Sequence, residues 1–191
     1  MKHKIKMGAI AIVIVGLVVG GYYYATHRGP NSEENSVELT EVQKVIAKDL
    51  SSNYPATPRE VVKLYNRILQ CFYNGSYSEE ELYELGDQAR MLFDEELLDN
   101  NPRDDYFEAL KADIDEYKNA SKTIKSANVC DSNDIVYKTI DGDECAYVST
   151  SYFINEDKQY DYTYQTYVLR KDDAGEWKIL VFYQTQGDLD E

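Results

Sequence analysis

The chain changes its hydrophobic rhythm twice. From Met7 to Thr26 it reads MGAIAIVIVGLVVGGYYYAT, continuously apolar or small and without a charged side chain. From Thr40 to Asn119 apolar residues recur every three or four positions among acidic and polar ones, the period of helices buried on one face. From Ile135 to Thr185 they fall into short β-branched and aromatic runs separated by turn residues, the pattern of strands.

Within the helical stretch the starts are marked by chemistry. Thr40 with Gln43, Thr57 with Glu60 and Ser78 with Glu81 have capping-box spacing, and Pro58 follows Thr57 where a missing N–H costs nothing. Asn101-Pro102 repeats that logic without the box. The spacing predicts helices over about 40–50, 58–73, 79–99 and 102–119, the third bent near Gly86. Their inward residues include Val61, Leu64, Tyr65, Ile68 and Phe72, then Leu82, Leu85, Ala89, Leu92 and Phe93, then Phe107, Leu110, Ile114 and Tyr117.

Four strands follow: Ile135–Ile140, Cys145–Ile154, Gln159–Arg170 and Trp177–Thr185. Asp141-Gly142 is a strong hairpin turn, and every connection is short, so the sheet reads as an antiparallel meander and the domain as α+β. Pairing residue 140 with 143, 154 with 159 and 171 with 176 sorts side chains by face. Val136, Tyr147, Phe153, Tyr162, Tyr164, Val168, Trp177, Ile179, Val181 and Tyr183 form the richer face, expected to pack on the helices. Tyr137, Tyr152, Tyr167 and Phe182 share the other face with Ile135, Val148 and Leu180, mixed with Gln165, Thr150 and Thr163. Tyrosine combines apolar area with a polar tip, so this second face is the candidate surface for a protein partner or a second copy. Tyrosine also simply fills sheets well, and a one-residue slip of register would exchange the faces.

Twenty residues of helix cover about 30 Å, the thickness of a bilayer's hydrocarbon layer. The apolar segment therefore reads as a transmembrane anchor, with Tyr22, Tyr23 and Tyr24 at the membrane interface. Lys2, Lys4 and Lys6 precede it and acidic residues dominate after Ser32, which by the positive-inside rule makes the N-terminus cytoplasmic and the rest extracytoplasmic. The implied organisation is a cytoplasmic stub and anchor over 1–27, a polar linker over 28–38 with Gly29 and Pro30 as breakers, and an extracytoplasmic α+β domain over 39–191.

Charge narrows the function classes. The chain has a formal net charge of -15, and residues 31–191 carry 16 basic against 35 acidic side chains. Such a domain repels phosphate backbones, so no nucleic acid partner is expected. Both histidines, His3 and His27, flank the apolar segment. A Ser-His-Asp triad, a Cys-His dyad and a histidine zinc site are thus excluded beyond Pro30. Cys71, Cys130 and Cys145 lack paired CxxC spacing, and the hairpin register sets Cys145 opposite Lys138, too far along the chain from Cys130 for a disulfide. The sequence assigns no catalytic, cofactor-binding or metal-binding residue.

The order of elements carries a resemblance. Helices opening with TPREVVKLYNRIL, followed by a meander that closes through RKDDAGEWKILVFY, resemble the nuclear-transport-factor-two-like cone shared by ketosteroid isomerase and SnoaL-type domains, a cystatin-like arrangement. With the apolar segment, PATPREVVKLYNRIL and DSNDIVYKTIDGDECAYVSTSYF are similar to a clostridial family of single-pass membrane proteins of unknown function. That resemblance spans nearly the whole chain and implies a Gram-positive cell membrane, a cone-fold ectodomain and no established activity. The leading functional expectation is a non-enzymatic, membrane-anchored binding or accessory domain. The alternative is a cone-fold isomerase or lyase using an Asp/Tyr pair in an apolar pocket, for which Asp161 near Tyr152 is a candidate.

Overall fold

The computed structural model describes residues 38–186. Five helices precede a five-stranded antiparallel sheet: α1 Glu41–Ile46, α2 Pro58–Asn74, α3 Glu79–Arg90, α4 Glu95–Asn100 and α5 Arg103–Asn119, then β1 Lys122–Val129, β2 Val136–Ile140, β3 Asp143–Glu156, β4 Gln159–Lys171 and β5 Trp177–Thr185. The sheet order is β1-β3-β4-β5, with β2 also paired to β3. The first half of β3 takes β2 as neighbour and the second half takes β1.

The capping boxes form as their spacing requires. Thr40, Thr57 and Ser78 each accept from the backbone N–H three residues on, and Gln43, Glu60 and Glu81 return the contact to the cap. Helix α2 is the central one. Val61, Val62 and Ile68 are fully buried, and Leu64, Tyr65 and Phe72 nearly so.

Three expectations about elements are corrected. The sheet has five strands, because KTIKSANV forms β1 although Ile124 is its only buried residue. An edge strand this polar shows no alternation. It is held instead by the side chain of Asn74, which donates to the Ile124 carbonyl at 2.7 Å and accepts from the Ile124 N–H at 2.9 Å, where the strand bulges between Ile124 and Ser126. The helix expected over 79–99 is two helices, and the break lies at Met91–Asp94 rather than near Gly86. There Phe93 bridges to Ile179, with the Ile179 N–H donating to Leu92 O and the Asp94 N–H to Ile179 O. Helix α3 runs unbroken through Gly86, whose missing side chain lets α5 approach. A Cβ there would lie 2.2 Å from Phe107 Cε1.

The transmembrane helix of the expected fold is corrected as well. Among the described residues no helix is long and apolar enough to cross a membrane. The single-pass placement, with cytoplasmic N-terminus and external domain, is not what the described structure supports. The segment from Met7 to Thr26, with Tyr22, Tyr23 and Tyr24, lies outside the described residues.

The two faces of the sheet are also exchanged. Ala146, Val148, Thr150, Tyr152 and Ile154 of β3, Tyr167 and Leu169 of β4, and Trp177 and Ile179 of β5 are buried. The opposite face carries Tyr147, Phe153, Tyr162, Val181 and Tyr183, of which Tyr162, Val181 and Tyr183 are exposed. Two causes act together. The helix-covered face uses small residues such as Ala146 and Thr150, so counting large apolar side chains picks the wrong side. The last hairpin also pairs Lys171 with Trp177, one residue beyond the expected register, and then bulges so that Val168 meets Val181. The slip and the extra residue place Trp177, Ile179 and Phe182 together on the helix side.

Candidate functional site

Between the sheet and helices α2 and α5 lies a cavity of about 450 Å³. Tyr65, Phe72 and Tyr73 enter its wall from α2, Tyr106 and Tyr117 from α5, Tyr152 from β3 and Phe182 from β5. Leu69, Leu110, Ile124 and Ile154 fill between them, and Asp113, Thr163 and Gln165 supply polar groups. The helical period of α2 explains the first set, since Tyr65, Leu69 and Phe72 are spaced four and three apart. Those of α5 follow the same rule: Tyr106, Leu110, Asp113 and Tyr117 climb one stripe. Asn74 clamps Ile124 and so fixes the β1 corner of the cavity.

A hydroxyl network underlies the floor. Tyr152 OH lies 2.5 Å from both Asn66 Oδ1 and Tyr167 OH, and Tyr167 OH donates to Gln165 Oε1 at 2.9 Å. The amide of Asn66 is oriented by its donation to Thr150 Oγ1 at 3.4 Å. Asn66 and Thr150 are two of the few buried polar residues of the domain. Each phenol has one proton, so two protons serve three contacts. Gln165, at the cavity wall, is the member that can reorient, offering its N–H to Tyr167 and its carbonyl to the cavity.

At the other side of the cavity Tyr73 OH donates to Asp113 Oδ2 at 2.6 Å, and the Tyr73 and Tyr117 rings stack with centroids 4.0 Å apart. Asp113 is exposed at the rim. It forms no ion pair among the described residues.

Burial pushes the phenols of Tyr65, Tyr73, Tyr106, Tyr117, Tyr152 and Tyr167 above their ordinary value, in each case as the largest cause. Asp113 adds to this at Tyr65, Tyr73 and Tyr117. These phenols are therefore neutral at physiological pH and offer hydrogen bonds rather than phenolate bases. A raised phenol value favours the folded state below the unfolded value of 10.0, and that contribution is lost as pH climbs above it. We expect the phenolate absorbance of these tyrosines to appear only with loss of near-ultraviolet circular dichroism. Smooth titration of all tyrosines on a folded protein would contradict the burial described.

The tyrosines singled out from sequence separate into three places. Tyr152 and Tyr167 are buried, at 3 % and 0 % exposure, against the helices rather than presented to a partner. Phe182 is 39 % exposed at the cavity rim, 5.6 Å from the Tyr167 ring. Tyr137 is 57 % exposed and leans toward Trp177, away from the cavity. Asp161 and Tyr152 do not form the Asp/Tyr pair: Asp161 is exposed and opposite Ile154, while Tyr152 faces Thr163. Sequence reasoning missed Asn66, Asp113 and Gln165. Asn66 had a signal, a polar residue on the buried face of α2 four positions after Val62. Asp113 had one too, a carboxylate between Leu110 and Tyr117 on the stripe that α5 turns inward.

Cys71, Cys130 and Cys145 are free, and Cys145 sits opposite Lys138. Among the described residues no group of His, Cys, Asp and Glu is clustered to hold a metal ion.

Fold and site thus define an α+β domain with an open-mouthed aromatic cavity between helices α2 and α5 and the sheet. The chain belongs to the family described as Domain of unknown function (DUF6715), whose model matches residues 1–182. No curated protein matches it.

Proposed function

We propose that this domain is a non-enzymatic binding module that takes a small amphipathic ligand into the cavity between α2, α5 and the sheet. The observation that carries the reading is the cavity itself: about 450 Å³, walled by seven aromatic side chains, with polar groups confined to Asp113, Thr163, Gln165 and the tyrosine hydroxyls. Sites for small organic molecules have this size, with aromatic side chains interleaved with a few placed polar groups. A sheet covered by helices with a pocket at their junction also supports the likeness to the nuclear-transport-factor-two-like cone. The same geometry gives no support to an Asp/Tyr isomerase, because the one carboxylate of the wall is exposed at the rim and Tyr152 is committed to Asn66 and Tyr167.

Ala109 lines the cavity yet is exposed on α5, so Ala109→Trp fills the space with little effect on the core. Titration of the full chain with 2-phenylethanol, followed by heteronuclear NMR, should give saturable shifts at Leu110, Tyr152 and Ile154, and Ala109→Trp should abolish them. Shifts that persist in that variant, or that map to Tyr160, Tyr162 and Tyr183 on the other face, would refute the reading.

A further inference from the structure

We propose that the ligand is an organic cation, an ammonium group carried on an apolar or aromatic body, with the charge held at the Asp113 rim; this rests on the cavity being a ligand site. Among the described residues Asp113 is the only ionisable group of the wall apart from the tyrosines, and it pairs with no described Lys or Arg. One of its oxygens takes the Tyr73 proton at 2.6 Å. Its other oxygen accepts no hydrogen bond from any described residue. A carboxylate that already orders one neighbour, but answers to no protein cation, is an anionic acceptor placed at the mouth of an aromatic chamber.

The rings complement it. Tyrosine faces are electronegative and attract cations within about 6 Å of the centroid. Two wall tyrosines already do this toward the protein's own cations: the Arg90 guanidinium lies 5.3 Å from the Tyr106 centroid and Lys122 Nζ 5.2 Å from that of Tyr117. Lys122 is not part of the wall and is paired with Glu156 at 3.3 Å, so it does not answer Asp113. The reach of the Asp113 charge is visible in the phenols. After burial, it is among the influences that hold Tyr65, Tyr73 and Tyr117 in their neutral form. The domain as a whole is strongly acidic, which draws cations toward the cavity and repels anions. Gln165 and Thr163, on the sheet side, remain available to a polar tail at the far end of the ligand.

The test compares three molecules of one shape: 2-phenylethylammonium, 2-phenylethanol and phenylacetate, titrated calorimetrically into the full chain at low and high ionic strength. The ammonium should bind about fivefold to tenfold more tightly than the alcohol, as expected for one partly exposed charge contact with cation–π support. Phenylacetate should bind most weakly. High salt should narrow the difference. Asp113→Asn keeps an acceptor for Tyr73 and should abolish the ammonium's advantage over the alcohol. Near-ultraviolet circular dichroism and urea unfolding of the variant, unchanged from the parent, show that it is folded. An alcohol that binds as tightly as the ammonium, or a preference that survives Asp113→Asn, overturns the cation proposal and leaves the cavity a neutral-ligand site. Binding of none of the three overturns both readings.

Discussion

Asp94→Ala should cost this domain about 3 kcal/mol of stability, one of the two largest losses expected from a single substitution. Asp94 is 4 % exposed and does three things at once. Its Oδ1 caps α4 by accepting from Glu96 N–H at 3.0 Å. Its two oxygens take the fork of Arg170, Nη2 at 2.5 Å and Nε at 3.0 Å. Its own N–H extends the β5 edge through Ile179 O. Removing the carboxylate from a buried pair costs about 3–5 kcal/mol because the remaining charge is stranded. Here Arg170 is one-quarter exposed and keeps Glu96 and Asp143 nearby, which brings the pair below that range, to about 2 kcal/mol. Loss of the cap adds about 1 kcal/mol. Urea unfolding followed by the fluorescence of Trp177, the single tryptophan, measures the loss. The corresponding fall in Tm is roughly 6–12 °C for a domain of this size. Arg170→Met should be milder, and the double variant should lose less than the two singles added, since the stranded arginine is gone. Strict additivity would mean that the pair does not couple.

Asp94 also shows how far the sequence could be read. Its helix-capping contact is local, reaching only two residues on to Glu96, but it forms only where the helix is broken. Its bond to Arg170, seventy-six positions away, is invisible until β4 and β5 are in register. The same division runs through the fold. Capping boxes and the helical stripe of α2 depend on neighbours within four residues, and they were legible. The break at Met91–Asp94 depends on Ile179 bridging to Phe93, and it was not. Nothing in DQARMLFDEELL opposes a continuous helix except the strand it meets.

The sheet illustrates the point in a second way. Four of its five strands were readable from β-branched and aromatic runs, and their antiparallel order from the short turns; the polar β1 was not. Which face β5 turns to the helices hung on one residue in the turn after Lys171 and one bulge, and for β3 and β4 hydrophobicity pointed to the wrong side. A face lined by Ala146, Thr150 and Tyr152 looks less hydrophobic than one lined by Phe153, Tyr162 and Tyr183. It is nevertheless the buried one, because α2 brings Val62, Tyr65 and Ile68 to within packing distance and small residues make room. The candidate site inherits this history. Tyr152 and Tyr167 were rightly grouped on one face, but as a partner surface. The helices that cover them turn the same pair into the floor of a cavity.

For Tyr167 the expected result is an order rather than a single value: Tyr167→Ala far worse than Tyr152→Phe, and Tyr152→Phe worse than Tyr167→Phe. Tyr167 is fully buried, with its ring 5.8 Å from Tyr65 and 5.6 Å from Phe182. Truncating a buried aromatic to alanine removes the transfer energy and opens space beside an existing cavity, for about 4 kcal/mol. The hydroxyl deletions differ because of proton supply. In Tyr167→Phe the Tyr152 proton goes to Asn66 Oδ1 without competition, and only Gln165 loses its neighbour. Gln165 lines the cavity and finds another partner there, so the cost stays below about 1 kcal/mol. In Tyr152→Phe the buried Asn66 carbonyl is left with Tyr167 OH at 3.4 Å, a poor donor distance. A buried acceptor without a donor costs about 1–3 kcal/mol. Denaturant unfolding of the three variants gives the order directly. If Tyr167→Phe proves the worse of the two phenylalanine variants, the Asn66 carbonyl draws its proton from Tyr167 and the network runs in the opposite sense. Ligand titration separates the roles further, because Tyr167→Phe releases Gln165 toward the cavity while Tyr152→Phe changes the wall itself.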